Sequence, residues 1–133
     1  MKTFRYSLAA AIIAASAGAA MAASNYTANQ INPNVFEITA RNSGDTAGIW
    51  CGASRYARDT LKASWQARIY VARTMGTSQV TGRKGAVQFT LDPAAVGITP
   101  ITSSPSLNSF VVGDSQTIQM ARKFCNQGIT GGI

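Results

Sequence analysis

Cys51 and Cys125 are the only cysteines in a 133-residue chain that contains no histidine. That pair limits both the fold and the chemistry. Without histidine there is no cysteine–histidine nucleophile and no histidine-containing zinc site, and two thiolates do not complete a four-ligand one. Neither cysteine belongs to a C-x-x-C redox pair. What remains is a covalent clamp, provided that the chain meets an oxidising compartment. Joined across more than seventy residues, two segments must lie side by side. The closed loop would stabilise the fold by about 4 kcal/mol in the chain-entropy model.

The first residues, MKTFRYSLAAAIIAASAGAAMAAS, supply the compartment. Lys2 and Arg5 form a positive start, Leu8 to Ala19 an apolar run, and Ala20-Met21-Ala22 a small-residue cleavage pattern. The run is shorter than the ~20 residues of a spanning helix. The expectation is a signal peptide over 1–22, cut after Ala22, and a single exported domain over 23–133 that is periplasmic or secreted. No later stretch is apolar enough to form a transmembrane segment. Ten of the twelve basic residues follow Ala22, against five acidic ones, for a balance of about +5. That charge favours weak attraction to anionic surfaces.

Hydrophobic periodicity predicts the elements. NVFEITAR alternates Phe36 and Ile38 with Glu37 and Thr39, as in a half-buried strand. A helix capped by Asp45 or Thr46 follows, with Ile49, Ala53, Tyr56 or Ala57, and Leu61 inward. Arg55, Arg58 and Lys62 share another face, and Asp59 is placed to pair with Arg55. SWQARIYVART and AVQFTLDP read as a hairpin with a long loop. Trp65, Ala67, Ile69 and Val71 face inward on the first strand, and Val87, Phe89 and Leu91 on the second. Trp50 and Trp65 are both expected in the core near the clamp. DSQTIQMARKFCNQG predicts a closing helix capped by Asp114 or Ser115, with Ile118, Ala121 and Cys125 inward, and ended by Gly128. ASNYTANQINPN reads as an irregular arm, residues 94 to 113 as mostly loop, and SFVV as a short edge strand. The expected fold is α+β, a two-layer domain of three to four strands on two helices in the order β-α-β-β-α.

Candidate chemistry is sparse. GTSQVTGRK departs from a phosphate-binding loop in spacing, in Arg83 preceding Lys84, and in the strand that follows. No nucleotide, metal or other cofactor is therefore expected. The five acids have capping, turn or pairing roles, with Glu37 placed for a cross-strand pair with Arg68. No catalytic residue is assigned and the chain is read as a non-enzyme. Asn25-Tyr26-Thr27 matches a glycosylation sequon. Glu37, Thr39, Arg68, Tyr70, Gln88 and Thr90 should occupy an open sheet face. Arg68 and Tyr70 on that face, with Arg83 and Lys84 in the adjoining loop, are the candidate binding residues.

WCGASRYARDTL, ARIYVAR and TGRKGAVQFTLDP, within residues 49–93, also resemble a group of small secreted proteins of unknown function from Gram-negative bacteria. That resemblance implies a periplasmic or secreted α+β domain and brings no catalytic residues. The functional expectation is an accessory or binding domain of the cell envelope, touching another envelope protein or an anionic surface. A basic binder of anionic envelope polymers or lipids, and an enzyme with an unrecognised carboxylate or arginine site, are the alternatives.

Overall fold

A computed structural model describes residues 26–42, 44–102 and 110–131, with side chains to residue 126. The expected leader, Asn25 of the sequon and the start of SFVV lie outside them. The strands are β1 (Tyr26–Asn32), β2 (Val35–Ala40), β3 (Arg68–Gly76), β4 (Ala86–Thr90) and β5 (Ser115–Thr117). The helices are α1 (Thr46–Arg55) and α2 (Ile118–Gly131). All pairings are antiparallel, in one five-stranded sheet of order β1-β2-β4-β3-β5. The α+β class is as expected. The sheet has five strands instead of three to four, and the element order begins with two strands.

The extra strands come from segments whose side chains carry little signal. YTANQIN was expected to be irregular, yet it forms β1 and pairs with β2, placing Tyr26 opposite Ala40 and Ala28 opposite Ile38. As an edge strand it needs no apolar alternation; its ladder to β2 suffices. Asn32 Oδ1 accepts the Asn34 amide at 2.9 Å and turns the chain into β2. SQT forms β5, with Arg68 opposite Thr117 and Tyr70 opposite Ser115. No strand occurs at residues 110–112.

The central strands keep their expected phase. Phe36, Ile38, Ile69, Val71, Val87 and Phe89 are all buried on the helix side. Trp50 of α1 lies 5.3 Å from the Phe89 ring and 5.7 Å from that of Phe110, between centroids. Gly52 brings α1 against the sheet, since a Cβ there would meet Tyr26 at 2.7 Å and Ile38 at 2.9 Å. The Cys51–Cys125 disulfide joins α1 to α2, with Cα atoms 4.9 Å apart, and neither thiol is free.

Both helices differ at their ends. Asp45 caps α1, its Oδ1 accepting the Gly48 amide at 2.8 Å. The first helix then widens into a π turn over Tyr56–Thr60, which breaks the regular spacing that placed Asp59 against Arg55. The only ion pair among the described residues is elsewhere. Thr117 caps α2, accepting the Met120 amide at 3.1 Å; Asp114 and Ser115 precede it. α2 runs on past Gly128 to Gly131. No helix among the described residues is long and apolar enough to cross a membrane.

Candidate functional site

The sheet face away from the helices is not open at its centre. Glu37, Thr39, Gln88 and Thr90 are buried. The β3–β4 connection folds back over Glu37 instead of projecting into solvent. Glu37 Oε1 accepts the Ser78 hydroxyl at 2.5 Å, and Oε2 accepts the Gln79 amide and the Gln88 side chain, each at 3.1 Å. Ser78 Oγ in turn accepts the Val80 and Thr81 amides at 3.0 and 2.9 Å. Its carbonyl accepts the Gly82 amide at 3.1 Å.

Glu37 does not pair with Arg68. Its ionic partner is Arg73, at 3.8 Å. The register shifts between Val71 and Arg73, so that Arg73, not Ala72, stands opposite Gln88. Such an irregularity re-aims a side chain. Burial pushes the Glu37 carboxyl up, but its hydrogen bonds to Ser78, Gln79 and Gln88 and the Arg73 charge together hold it below its ordinary value. This carboxylate ties down a loop.

The four candidate binding residues separate. Arg68 is exposed at the first position of β3, where its Nε donates to Ser115 Oγ at 2.9 Å. Tyr70 is half-buried. Arg83 and Lys84 are exposed in the loop that leaves the other end of β3. Along an extended strand the length of β3 spans roughly 25 Å. Arg68 and Tyr70 thus remain together, as do Arg83 and Lys84, while the pairs lie toward different ends. Beside Arg68, burial raises the Asp114 carboxyl above its ordinary value despite the Ser115 amide and the Arg68 charge.

A different cluster forms where the end of α1 meets the start of α2. Trp65 was expected in the core; it is 39% exposed, while Trp50 is fully buried. β3 begins only at Arg68, so the inward alternation does not extend back to Trp65. Its carbonyl accepts the Gln119 amide at 3.1 Å, which fixes it to the first turn of α2. The Arg58 guanidinium lies 4.5 Å from the centroid of the Trp65 ring, and that of Arg122 lies 5.4 Å from it. The π turn carries Arg58, whose Nη1 donates to the Ala63 carbonyl at 2.9 Å. Lys62, in the left-handed region at φ 61°, turns the chain between them.

Trp65, Gln66, Gln119, Arg122, Lys123 and Asn126 line a groove of about 460 Å³. This lies within the roughly 300–1,000 Å³ typical of small-molecule sites. Neither Arg58, Arg122 nor Lys123 has a carboxylate within ion-pairing distance among the described residues. Nη1 of Arg122 is shielded from water and has no hydrogen-bond partner there. Gln119, Arg122, Lys123 and Asn126 recur at three- and four-residue steps and form one stripe of α2. That polar stripe is the signal in the sequence; its meeting with Trp65 is not. Among the described residues, no group of three or more potential metal ligands is gathered.

Comparison with protein-family models, curated proteins and solved structures finds no match to the chain.

Proposed function

We propose that this chain is an exported, disulfide-clamped binding domain of the cell envelope that holds an anionic partner without transforming it. The observation that carries the reading is the groove at Trp65. Arg58 and Arg122 lie over one exposed indole and Lys123 lines the groove beside it, with no carboxylate paired to any of the three among the described residues. Clustered like charges cost free energy, and an arriving anion relieves that cost. The basic balance of the chain adds long-range attraction. Export is supported by the leader pattern and by a disulfide, which persists in oxidising compartments. The resemblance to small secreted Gram-negative proteins over residues 49–93 agrees with that address. A non-enzymatic role is supported by Glu37, the acid placed at the centre of the sheet, which is sealed from solvent with both oxygens engaged.

The test is retention on an anionic envelope fraction at low and high salt. Arg122→Glu with Lys123→Glu should abolish the low-salt retention and leave the melting temperature unchanged. Arg83 and Lys84 form a separate exposed cationic pair in the β3–β4 loop, beyond the far end of β3 from Arg68, so Arg83→Glu with Lys84→Glu serves as the parallel arm. Retention lost only in that second variant would move the site to the loop. Retention unaffected by either variant would remove the anion-binding reading.

A further inference from the structure

The groove holds more than cations, and its other side chains narrow the ligand. Resting on the anion-binding reading above, we infer that the Trp65 groove binds the acidic unit of a glycan: a pyranose ring carrying a carboxylate.

The inference starts from the two glutamines. Gln66 Nε2 lies 3.5 Å from Gln119 Oε1, at the limit of a hydrogen bond. Each side-chain amide offers two donors and an acceptor with two lone pairs. That weak mutual contact therefore leaves capacity of both kinds on the groove wall. A bare phosphate or sulfate cannot use it fully, because an amide carbonyl oxygen repels an anion. A sugar hydroxyl donates and accepts at once, so it complements a side-chain amide. The cations then define the rest of the ligand. Arg122 presents a planar fork that suits a carboxylate, and Lys123 adds a mobile point charge. Trp65 supplies an apolar ring edge against which the C–H groups of a sugar can pack and an indole N–H for a hydroxyl. Hydroxyl, carboxylate and apolar ring face occur together in a uronic-acid unit.

A nucleobase is the competing flat ligand. Its affinity would come from stacking on an open aromatic face. At Trp65, two guanidinium groups already lie over the ring, 4.5 and 5.4 Å from its centroid, so a base would compete with them for the ring face. An acidic sugar can bind at the ring edge and beside the guanidinium groups without displacing either.

Trp65 also provides the readout, because Trp50 is fully buried and only Trp65 can respond to a surface ligand. Intrinsic fluorescence of the intact, oxidised protein would be titrated at low salt with four probes. These are an oligomer of galacturonic acid, the corresponding neutral galactose oligomer, inorganic polyphosphate, and a single-stranded oligodeoxynucleotide. The galacturonate oligomer should bind most tightly and the neutral oligomer not measurably. Arg122→Gln should weaken galacturonate roughly tenfold or more, the loss expected for one charge-assisted hydrogen-bonding group. Gln66→Leu with Gln119→Leu should weaken galacturonate but not polyphosphate, which separates sugar recognition from charge. Retention on galacturonate resin would assay Trp65→Ala, and circular dichroism would verify the fold of each variant. Polyphosphate binding as tight as galacturonate, or insensitivity of galacturonate to the glutamine pair, would overturn the glycan inference and leave the anion reading standing. Preference for the oligodeoxynucleotide would overturn it in favour of nucleic acid. Failure of every polyanion to bind would remove both readings.

Discussion

Arg73 stands 3.8 Å from Glu37 across the polar face of the sheet, and it does so because the strand register shifts between Val71 and Arg73. Regular alternation would have set Ala72 opposite Gln88 and left the buried carboxylate without an ionic partner. The irregularity, the ion pair and the folded-back β3–β4 loop form one structural unit.

That unit makes stability fall in acid. The native carboxyl of Glu37 is held below its ordinary value of 4.5, so the unfolded chain takes up a proton more readily than the native one. Its contribution is complete above that ordinary value and drains away as pH falls through the lower native value. Asp114 acts in the opposite sense. Its native carboxyl is raised above 3.8, so its contribution is complete below that value and is lost as pH rises through the native one. Urea midpoints measured between about pH 3 and pH 6 should therefore drop toward acid more steeply in Asp114→Asn than in the parent protein. Glu37→Gln should cost about 2–3 kcal/mol at neutral pH and flatten the acid limb. An acid limb unchanged in Glu37→Gln would show that this carboxylate is not the acid-sensitive group.

Thr39 sits two residues along β2 with its Oγ1 buried and unbonded among the described residues. An unpartnered buried hydroxyl is unfavourable, and valine has nearly the same shape. Thr39→Val should raise stability by about 1 kcal/mol. A lower melting temperature in that variant would mean that the hydroxyl has an acceptor after all.

Gly52 separates two opposing effects. Alanine in a helix interior is ordinarily better than glycine by about 0.5–1 kcal/mol. Here its Cβ would press on Tyr26 and Ile38, neither of which is the far end of a flexible chain. Gly52→Ala should lower stability by about 1–3 kcal/mol, the range for overpacking. A neutral or stabilising result would indicate that β1 can yield.

Thiol labelling of the oxidised protein should find no reactive cysteine, and replacing both cysteines by serine should cost about 4 kcal/mol. Equal chemical melts for the parent and double-serine proteins would leave the clamp energetically idle.

The inward phase of β2, β3 and β4 was legible because Phe36, Ile38, Ile69, Val71, Val87 and Phe89 alternate with polar residues, and burial of one face forces that alternation. Edge strands face no such demand, so YTANQIN looks like an irregular arm and SQT like the start of the closing helix. The register shift that turns Arg73 toward Glu37 depends on pairing with β4 and leaves no local trace. Trp65 misled because its spacing to Ile69 suits a strand that begins only at Arg68. The groove was legible only in part. The polar stripe of α2 is visible in the helix pattern, but Arg58 reaches Trp65 through a π turn that no regular periodicity encodes.

β5 and α2 follow one another without an intervening loop, and this has a consequence for when the domain can assemble. β5 completes the β3 edge of the sheet, and α2 carries the second cysteine of the clamp. Both therefore depend on residues in the last fifth of the chain. A nascent chain halted before Ser115 lacks its final strand pairing, its second helix and its covalent lock together. Native closure must await synthesis of β5 and α2, and pulse-labelled chains of increasing length should acquire protease resistance in one step once both are present.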